Sequence, residues 1–176
     1  MAKKSAPAAD THAISFLGFG RQYQKAANLL YEADETLAIP IYFLYSHAIE
    51  LALKAYLRAA NLPILADKKR KHHQIGMLYD ECKKLGLRIG PDDATNMRNI
   101  VDMLEDANED QGLRYFNAKG SGFPQLSWLR DAVEELFLAV APSVTKRAQA
   151  DGVVPGKIVK LNFTIGKPFL TPTKGN

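Results

Sequence analysis

The segment 42–57 constrains the fold of this chain more than any other, because it is apolar around most of its circumference when drawn as a helix. At about 3.6 residues per turn, one stripe of that helix is polar and carries His47, Glu50 and Lys54. A helix of this kind belongs in the middle of a domain. Polar groups on a buried helix need partners, so the stripe is predicted to be a structural polar cluster or a binding site.

The composition suits one soluble domain with a sizeable core. The chain has 176 residues, of which 47% are hydrophobic, and its net charge is +4. This charge permits an anionic partner without requiring one. Cys82 is the only cysteine, so an intrachain disulfide and a cysteine-based metal site are excluded and a reducing, cytoplasmic location is expected. The apolar runs are too short to span a bilayer, so no membrane partner is expected.

Apolar residues recur at helical spacing in five segments, which predicts an all-α, up-and-down bundle of four to five helices. The third segment has an apolar face that includes Cys82 and Leu85, and Gly86 stands where its C-terminal cap belongs. Pro142 interrupts the fifth, so residues 143–150 are expected to form a short, kinked or separate helical piece. We expect the helices at about residues 11–33, 40–60 and 75–85, and then from Pro91 and from Pro124 onwards.

Both ends of the chain differ from the helical domain predicted at 11–150. Residues 1–10 are predicted to be a disordered tail, because they are small and polar and rich in alanine. Residues 151–176 are predicted to be extended, with a strand at 158–165 where apolar and polar residues alternate. Since one strand is not stable alone, it pairs with another strand of the chain, a second copy or another protein, or it lies extended on the helices.

Two further segments carry candidate binding residues. Residues 68–73 hold four basic side chains and two histidines, which either contact phosphates or form a solvated loop. Arg114 and Tyr115 lie in a glycine-containing segment and either bind a ligand or bridge helix ends. No metal is expected, because the adjacent histidines cannot share one helical face. The candidate binding residues are His47, Glu50, Lys54, Lys68, Lys69, Arg70, Lys71, His73, Arg114 and Tyr115.

The common catalytic signatures are missing from the sequence. It has no Gly-x-Ser-x-Gly elbow, no Walker loop and no dinucleotide-binding fingerprint. These observations argue against a serine hydrolase of that type, a P-loop enzyme and a nicotinamide-dependent enzyme. No cofactor is expected.

Three segments, taken in order, resemble the HEPN superfamily, the higher eukaryotes and prokaryotes nucleotide-binding domain. Segment 47–57 is similar to that family's second helix with its Glu-x-x-x-Lys pattern, here Glu50 and Lys54. Segment 73–78 resembles the histidine-bearing start of its third helix, and segment 113–116 resembles the Arg-Tyr segment before its final helix. The resemblance implies a helical bundle that is often dimeric and occurs in prokaryotic defence and toxin–antitoxin systems. It also implies a partner such as a nucleotidyltransferase or an antitoxin.

Many members of that superfamily are metal-independent ribonucleases with an arginine followed by a histidine on the final helix. This chain has no histidine after residue 88, and Arg130 is followed one turn later by Glu134, which predicts a helical ion pair. Without imidazole there, the usual acid–base partner for a 2′-hydroxyl is missing. The expected function is therefore a non-catalytic HEPN-like module that binds a nucleotide, an RNA or a partner protein, as a homodimer.

Two other functions stay open at this point. One is a metal-independent endoribonuclease with a non-standard site built from His47, His73 and Arg114. The other is a structural interaction protein that uses its C-terminal strand to extend the sheet of a partner.

Overall fold

The computed structural model describes residues 12–62, 74–90, 96–108 and 122–153. Within these ranges the chain forms five α helices and no strand, so the predicted all-α bundle is confirmed. The disordered tail, the strand at 158–165 and the start of the fourth helix at Pro91 were predicted for residues outside the described ranges. The helices are α1 (Ala13–Ala33), α2 (Ala38–Ala59), α3 (Ile75–Lys84), α4 (Asn96–Ala107) and α5 (Leu126–Ala150).

The central element is α2, as its sequence predicts. Twelve of its 22 residues are buried, more than in any other helix, and it packs against α1, α5 and α3. Its largest buried side chains include Tyr45, Ile41 and Ile49. Each such side chain stabilises the fold by about 1.5–3 kcal/mol relative to an exposed position. The free energy of folding therefore depends on enclosing α2 from several sides.

Cross-helix contacts give the directions of the helices. Tyr23 meets His47 while Asn28, further along α1, bonds to Tyr45, so α1 and α2 are antiparallel. By contrast, Cys82 bonds to the carbonyl of Leu53 and the carbonyl of Leu85 accepts from Tyr56, so α2 and α3 run in the same direction. Strict up-and-down alternation is thus interrupted between α2 and α3. As a result, the C-terminal ends of these two helices lie side by side.

Helices α2 and α3 each end in a hydrogen-bonded turn of the same type. Gly86 follows α3 with a φ of +87°, and Asn61 follows α2 with a φ of +63°. At each end the two amides after the helix return to its last turn, as in the 3.0 Å bond from Leu87 to Cys82. Glycine has no Cβ to clash at positive φ, and asparagine tolerates this region better than most residues. The C-terminal cap predicted at Gly86 is confirmed.

Two predictions about helix faces and ends are wrong. Pro142 does not interrupt the last helix, and residues 143–150 are not a separate piece: α5 continues through Pro142 to Ala150 as one helix. The carbonyl deprived of its partner belongs to Leu138, a residue that is 60% exposed, so water can satisfy that oxygen. Leu85, expected on the buried face of α3, is exposed because the helix has already ended there, and Leu87 beyond the turn is buried instead.

Helix α1 approaches α2 and α5 most closely at Gly20. A Cβ at this position would lie 2.9 Å from Cζ of Phe137 and 3.3 Å from the carbonyl oxygen of Ala48. Phe137 is fully buried, so its ring has little room to move. The missing side chain therefore sets how near α1 can lie to the other two helices.

We expect Gly20→Ala to destabilise the protein by about 1 kcal/mol, because overpacking outweighs the gain in helix propensity. Urea unfolding followed by far-UV circular dichroism measures this change. In a Phe137→Leu background the contact is relieved, and the same substitution should be neutral or stabilising. Stabilisation by Gly20→Ala in the wild-type background would contradict the close approach.

Cys82 lies in the core, as predicted, with no exposed surface. Burial raises the pKa of its thiol from 9.0 to about 12, since desolvation disfavours the thiolate, and nearby Glu81 adds to the shift. Between these two pH values the unfolded chain loses the proton while the native state keeps it. Stability therefore falls as pH rises through this window, by up to about 1.4 kcal/mol per pH unit.

This predicts that Cys82→Ala makes the urea midpoint less sensitive to pH than in wild type between about pH 9 and 11. The measurement is a series of equilibrium unfolding curves for both proteins across that range. Native wild-type protein should also resist thiol-reactive reagents at pH 8. Parallel pH profiles for the two proteins would contradict a buried, neutral thiol.

Candidate functional site

The stripe of α2 brings His47, Glu50 and Lys54 into contact, as the helical spacing predicts. Nζ of Lys54 donates a hydrogen bond of 2.5 Å to Oε1 of Glu50. Nδ1 of His47 lies 3.4 Å from Oε2 of the same carboxylate. Glu50 therefore stands between the other two groups, with one oxygen towards each.

The three side chains differ in exposure, and this difference limits their chemistry. The side chains of Glu50 and Lys54 are only 10% and 9% exposed, whereas His47 is 27% exposed. A buried charge is costly unless it is paired, so each of these two groups needs the other as a partner inside the protein. His47 is therefore the member of this cluster that a ligand can reach.

Aromatic rings fix the imidazole of His47. The ring of Tyr23 on α1 meets it edge-on, with centroids 4.4 Å apart and planes at 87°. The ring of Phe43, one turn earlier on α2, lies nearly parallel to it at 6.3 Å. Because rings contact it on two sides, the imidazole of His47 cannot rotate freely, and its Nδ1 stays beside the Glu50 carboxylate.

A second polar cluster, which was not predicted from the sequence, joins α1 to α5. Nη1 of Arg21 donates to both oxygens of Glu134, at 2.8 and 2.9 Å, and Nε2 of Gln24 donates to the same carboxylate at 2.6 Å. The guanidinium of Arg21 also lies over the ring of Phe137, 4.5 Å from its centroid. Because Gln24 is only 3% exposed, its amide needs this partner.

This cluster corrects one expectation for α5. Glu134 was predicted to pair with Arg130 on the same helix, and that prediction is wrong. Nε of Arg130 bonds instead to the neighbouring Asp131 at 3.0 Å, and the guanidinium lies 5.5 Å from the ring centroid of Tyr31. The carboxylate of Glu134 accepts hydrogen bonds from Arg21 and Gln24 of α1 instead. The only hint of this in the sequence was that Arg21 and Gln24 are three residues apart and so lie on one face of α1.

The remaining candidate residues lie outside the part of the chain that the structure describes: Lys68, Lys69, Arg70, Lys71, His73, Arg114 and Tyr115. Their roles stay predictions. Among the described residues, no three histidine, cysteine, aspartate or glutamate side chains come together as a metal site requires. None of the described helices has both the length and the apolar character needed to cross a membrane.

A hollow of about 370 Å³ opens at the other side of α2, where α2, α3 and α5 end. It shares no lining residue with the stripe of His47, Glu50 and Lys54, and its volume lies within the range of about 300–1,000 Å³ found for small-ligand sites. We call it the basic hollow. Its lining consists of Tyr56, Ala59, Ala60, Leu85, Ser143, Lys146, Arg147 and Ala150.

No protein-family model matches this chain, and neither a curated protein nor a solved structure shows a significant match to it. The HEPN resemblance therefore stays a prediction that depends on the three sequence segments.

Because Glu50 and Lys54 are buried, we expect substitutions of either one to lower the stability of the protein by a measurable amount. Lys54→Met leaves the Glu50 carboxylate buried without its cation and should destabilise the protein by about 3 kcal/mol. The double variant Glu50→Gln/Lys54→Met should lose much less than the sum of the two single variants, because it leaves no unpaired charge. Urea unfolding of the wild type, Glu50→Gln, Lys54→Met and the double variant measures this coupling.

The matched control is the exposed pair of Glu81 and Lys84, which is held by a comparable bond of 2.7 Å with side chains 50% and 69% exposed. Lys84→Met should leave the urea midpoint unchanged, because solvent screens that pair. Equal losses for Lys54→Met and Lys84→Met would show that the pair on α2 is not buried.

Proposed function

We propose that this chain is a non-catalytic, HEPN-like module that binds single-stranded RNA. The observation that carries the non-catalytic part of the proposal is the bond between Glu50 and Lys54, two buried groups that satisfy each other. A general acid or base must reach the substrate and exchange a proton with it. Two of the three ionisable groups in the stripe are instead used to stabilise the central helix.

The final helix supports the same conclusion. The resembled ribonucleases carry arginine and histidine there, whereas this chain has Arg130 and Glu134. Glu134 accepts hydrogen bonds from Arg21 and Gln24, so it holds α1 against α5. A carboxylate bonded in this way stabilises helix packing and is poorly suited to accept a proton from a 2′-hydroxyl group.

The choice of RNA among the expected ligands depends on charge. The chain carries +4 overall, and residues 68–71 are four consecutive basic residues. In the described part, Lys146 and Arg147 add two cations beside an open hollow. A phosphate backbone is the polyanion such residues attract, and exposed bases supply flat surfaces for apolar and aromatic side chains.

The proposal includes a setting for the module. It would act as a cytoplasmic homodimer in a prokaryotic defence or toxin–antitoxin system, next to a partner protein such as a nucleotidyltransferase or an antitoxin. The single cysteine suits a reducing compartment. Light scattering coupled to size-exclusion chromatography tests the dimer, and a strict monomer at high concentration would remove that part of the proposal.

Binding to a labelled single-stranded RNA of about ten nucleotides, measured by fluorescence anisotropy, tests the main claim. We expect affinity to fall as salt rises, with a log–log slope of about −0.7 for each phosphate neutralised. Replacing Lys68, Lys69, Arg70 and Lys71 with glutamine should weaken binding at least about tenfold. A morpholino of the same sequence, which lacks backbone charge, is the matched control and should not bind.

The same RNA shows whether the module is catalytic. Incubated with excess protein and a chelator, it should stay intact on a denaturing gel. Cleavage that disappears in His47→Ala, His73→Ala or Arg114→Ala would instead establish the ribonuclease alternative. Absence of RNA binding at low salt would contradict the proposal and favour an interaction protein.

A further inference from the structure

Small side chains at two helix ends create the basic hollow. Ala59 and Ala60 end α2, and Ala150 ends α5, so within the described ranges no long side chain fills the space between these ends and Leu85 of α3. Backbone turns hold the ends in place, including the bond of 3.1 Å from the amide of Ala60 to the carbonyl of Tyr56. The hollow is therefore part of the helical framework.

One wall of the hollow is apolar and aromatic. The hydroxyl of Tyr56 donates to the carbonyl of Leu85 at 3.4 Å, which ties the ring to the end of α3. Leu85 itself is 41% exposed. An exposed leucine beside a restrained tyrosine ring is a surface against which a nucleobase can stack.

The opposite wall carries the cations of α5. Nε of Arg147 bonds to Asp151 at 2.8 Å, and both side chains stay about one-third exposed. Lys146 is exposed and has no ion-pair partner within the described ranges. Ser143 adds a hydroxyl one turn earlier, and none of the described residues that line the hollow is acidic.

The sign of the local charge decides what the hollow can hold. Three helix C-termini converge here, and each contributes a partial charge of about −0.5 from its free carbonyls. The last five residues of these helices, together with Asp151, carry five cations (Arg58, Lys83, Lys84, Lys146 and Arg147) and three anions (Asp80, Glu81 and Asp151), which leaves a formal charge of +2. The sum of these charges stays positive, by about half a charge, after the three helix ends are counted.

The geometry points to a seat for one nucleotide of the bound strand in the basic hollow. The base would stack against Tyr56 and Leu85, and its phosphate would lie between Lys146 and Arg147. This assignment depends on the proposed RNA-binding function and gives it a location outside the stripe of α2.

Two substitutions at exposed positions test the site in the anisotropy assay. Ser143→Trp fills the hollow without changing charge and should weaken RNA binding about tenfold. Its control is Thr145→Trp, an exposed position on the same helix that does not line the hollow. Lys146→Glu should weaken binding about fivefold, whereas Lys25→Glu, the same charge change at an exposed position on α1, should have a much smaller effect.

A third substitution should act in the opposite direction. Asp151→Asn releases Arg147 from its ion pair and should strengthen RNA binding about twofold. Circular dichroism and urea unfolding establish that all five variants are folded. In a ¹⁵N-labelled chain, RNA should shift the amide signals of Leu85, Ser143 and Lys146.

The outcomes separate this inference from the proposed function. If wild-type protein binds no RNA, both fail. If it binds RNA and Ser143→Trp binds as tightly as Thr145→Trp, the strand is held elsewhere and only the assignment to the hollow is overturned. Loss of binding in Ser143→Trp and Lys146→Glu, with a gain in Asp151→Asn, supports a nucleotide seat at this position.

Discussion

Enclosure of α2 by its neighbours is the constraint on which the other features of this protein depend. A helix packed by α1, α5 and α3 can carry ionisable groups only if they meet partners inside the protein. Lys54 and Glu50 do so one turn apart on the same helix, and His47 lies against the far oxygen of the carboxylate. The local geometry of a single helix therefore removes most of the cost of burying two charges.

Buried polar groups also need partners where two helices meet. Gln24 is buried and bonds to Glu134, which also holds Arg21, so α1 and α5 are joined by a shared carboxylate. Nearby, Gly20 lets α1 approach the ring of Phe137. The hydrogen bonds to Glu134 and the close packing at Gly20 thus hold α1 against α5. The polar side chains that make these bonds are occupied in holding the helices together. The ligand binding that we propose is placed on the exposed surface, where cations and the ends of helices meet.

Features that depend on neighbours in the sequence could be predicted. The stripe of α2 follows from helical spacing, and the turn at Gly86 follows from the freedom of glycine at positive φ. Features that depend on tertiary surroundings could not. Pro142 stays within α5 because its side of the helix faces water. Glu134 pairs with Arg21, more than a hundred residues away in the sequence, and not with Arg130 on its own helix. The basic hollow was also missed, since it exists where Ala59 and Ala60 at the end of α2 meet the distant Ala150 of α5.

The state of the Lys54 ammonium group tests the central claim most directly. Solution NMR of ¹⁵N-labelled protein near neutral pH observes side-chain Nζ–H₃ groups when their protons exchange slowly with water. If Lys54 is buried against Glu50, its signal should persist while those of exposed lysines such as Lys25 are lost to exchange, and it should disappear in Glu50→Gln. A Lys54 ammonium that exchanges as fast as that of Lys25 would contradict the account, because the pair would then be open to solvent and available for chemistry.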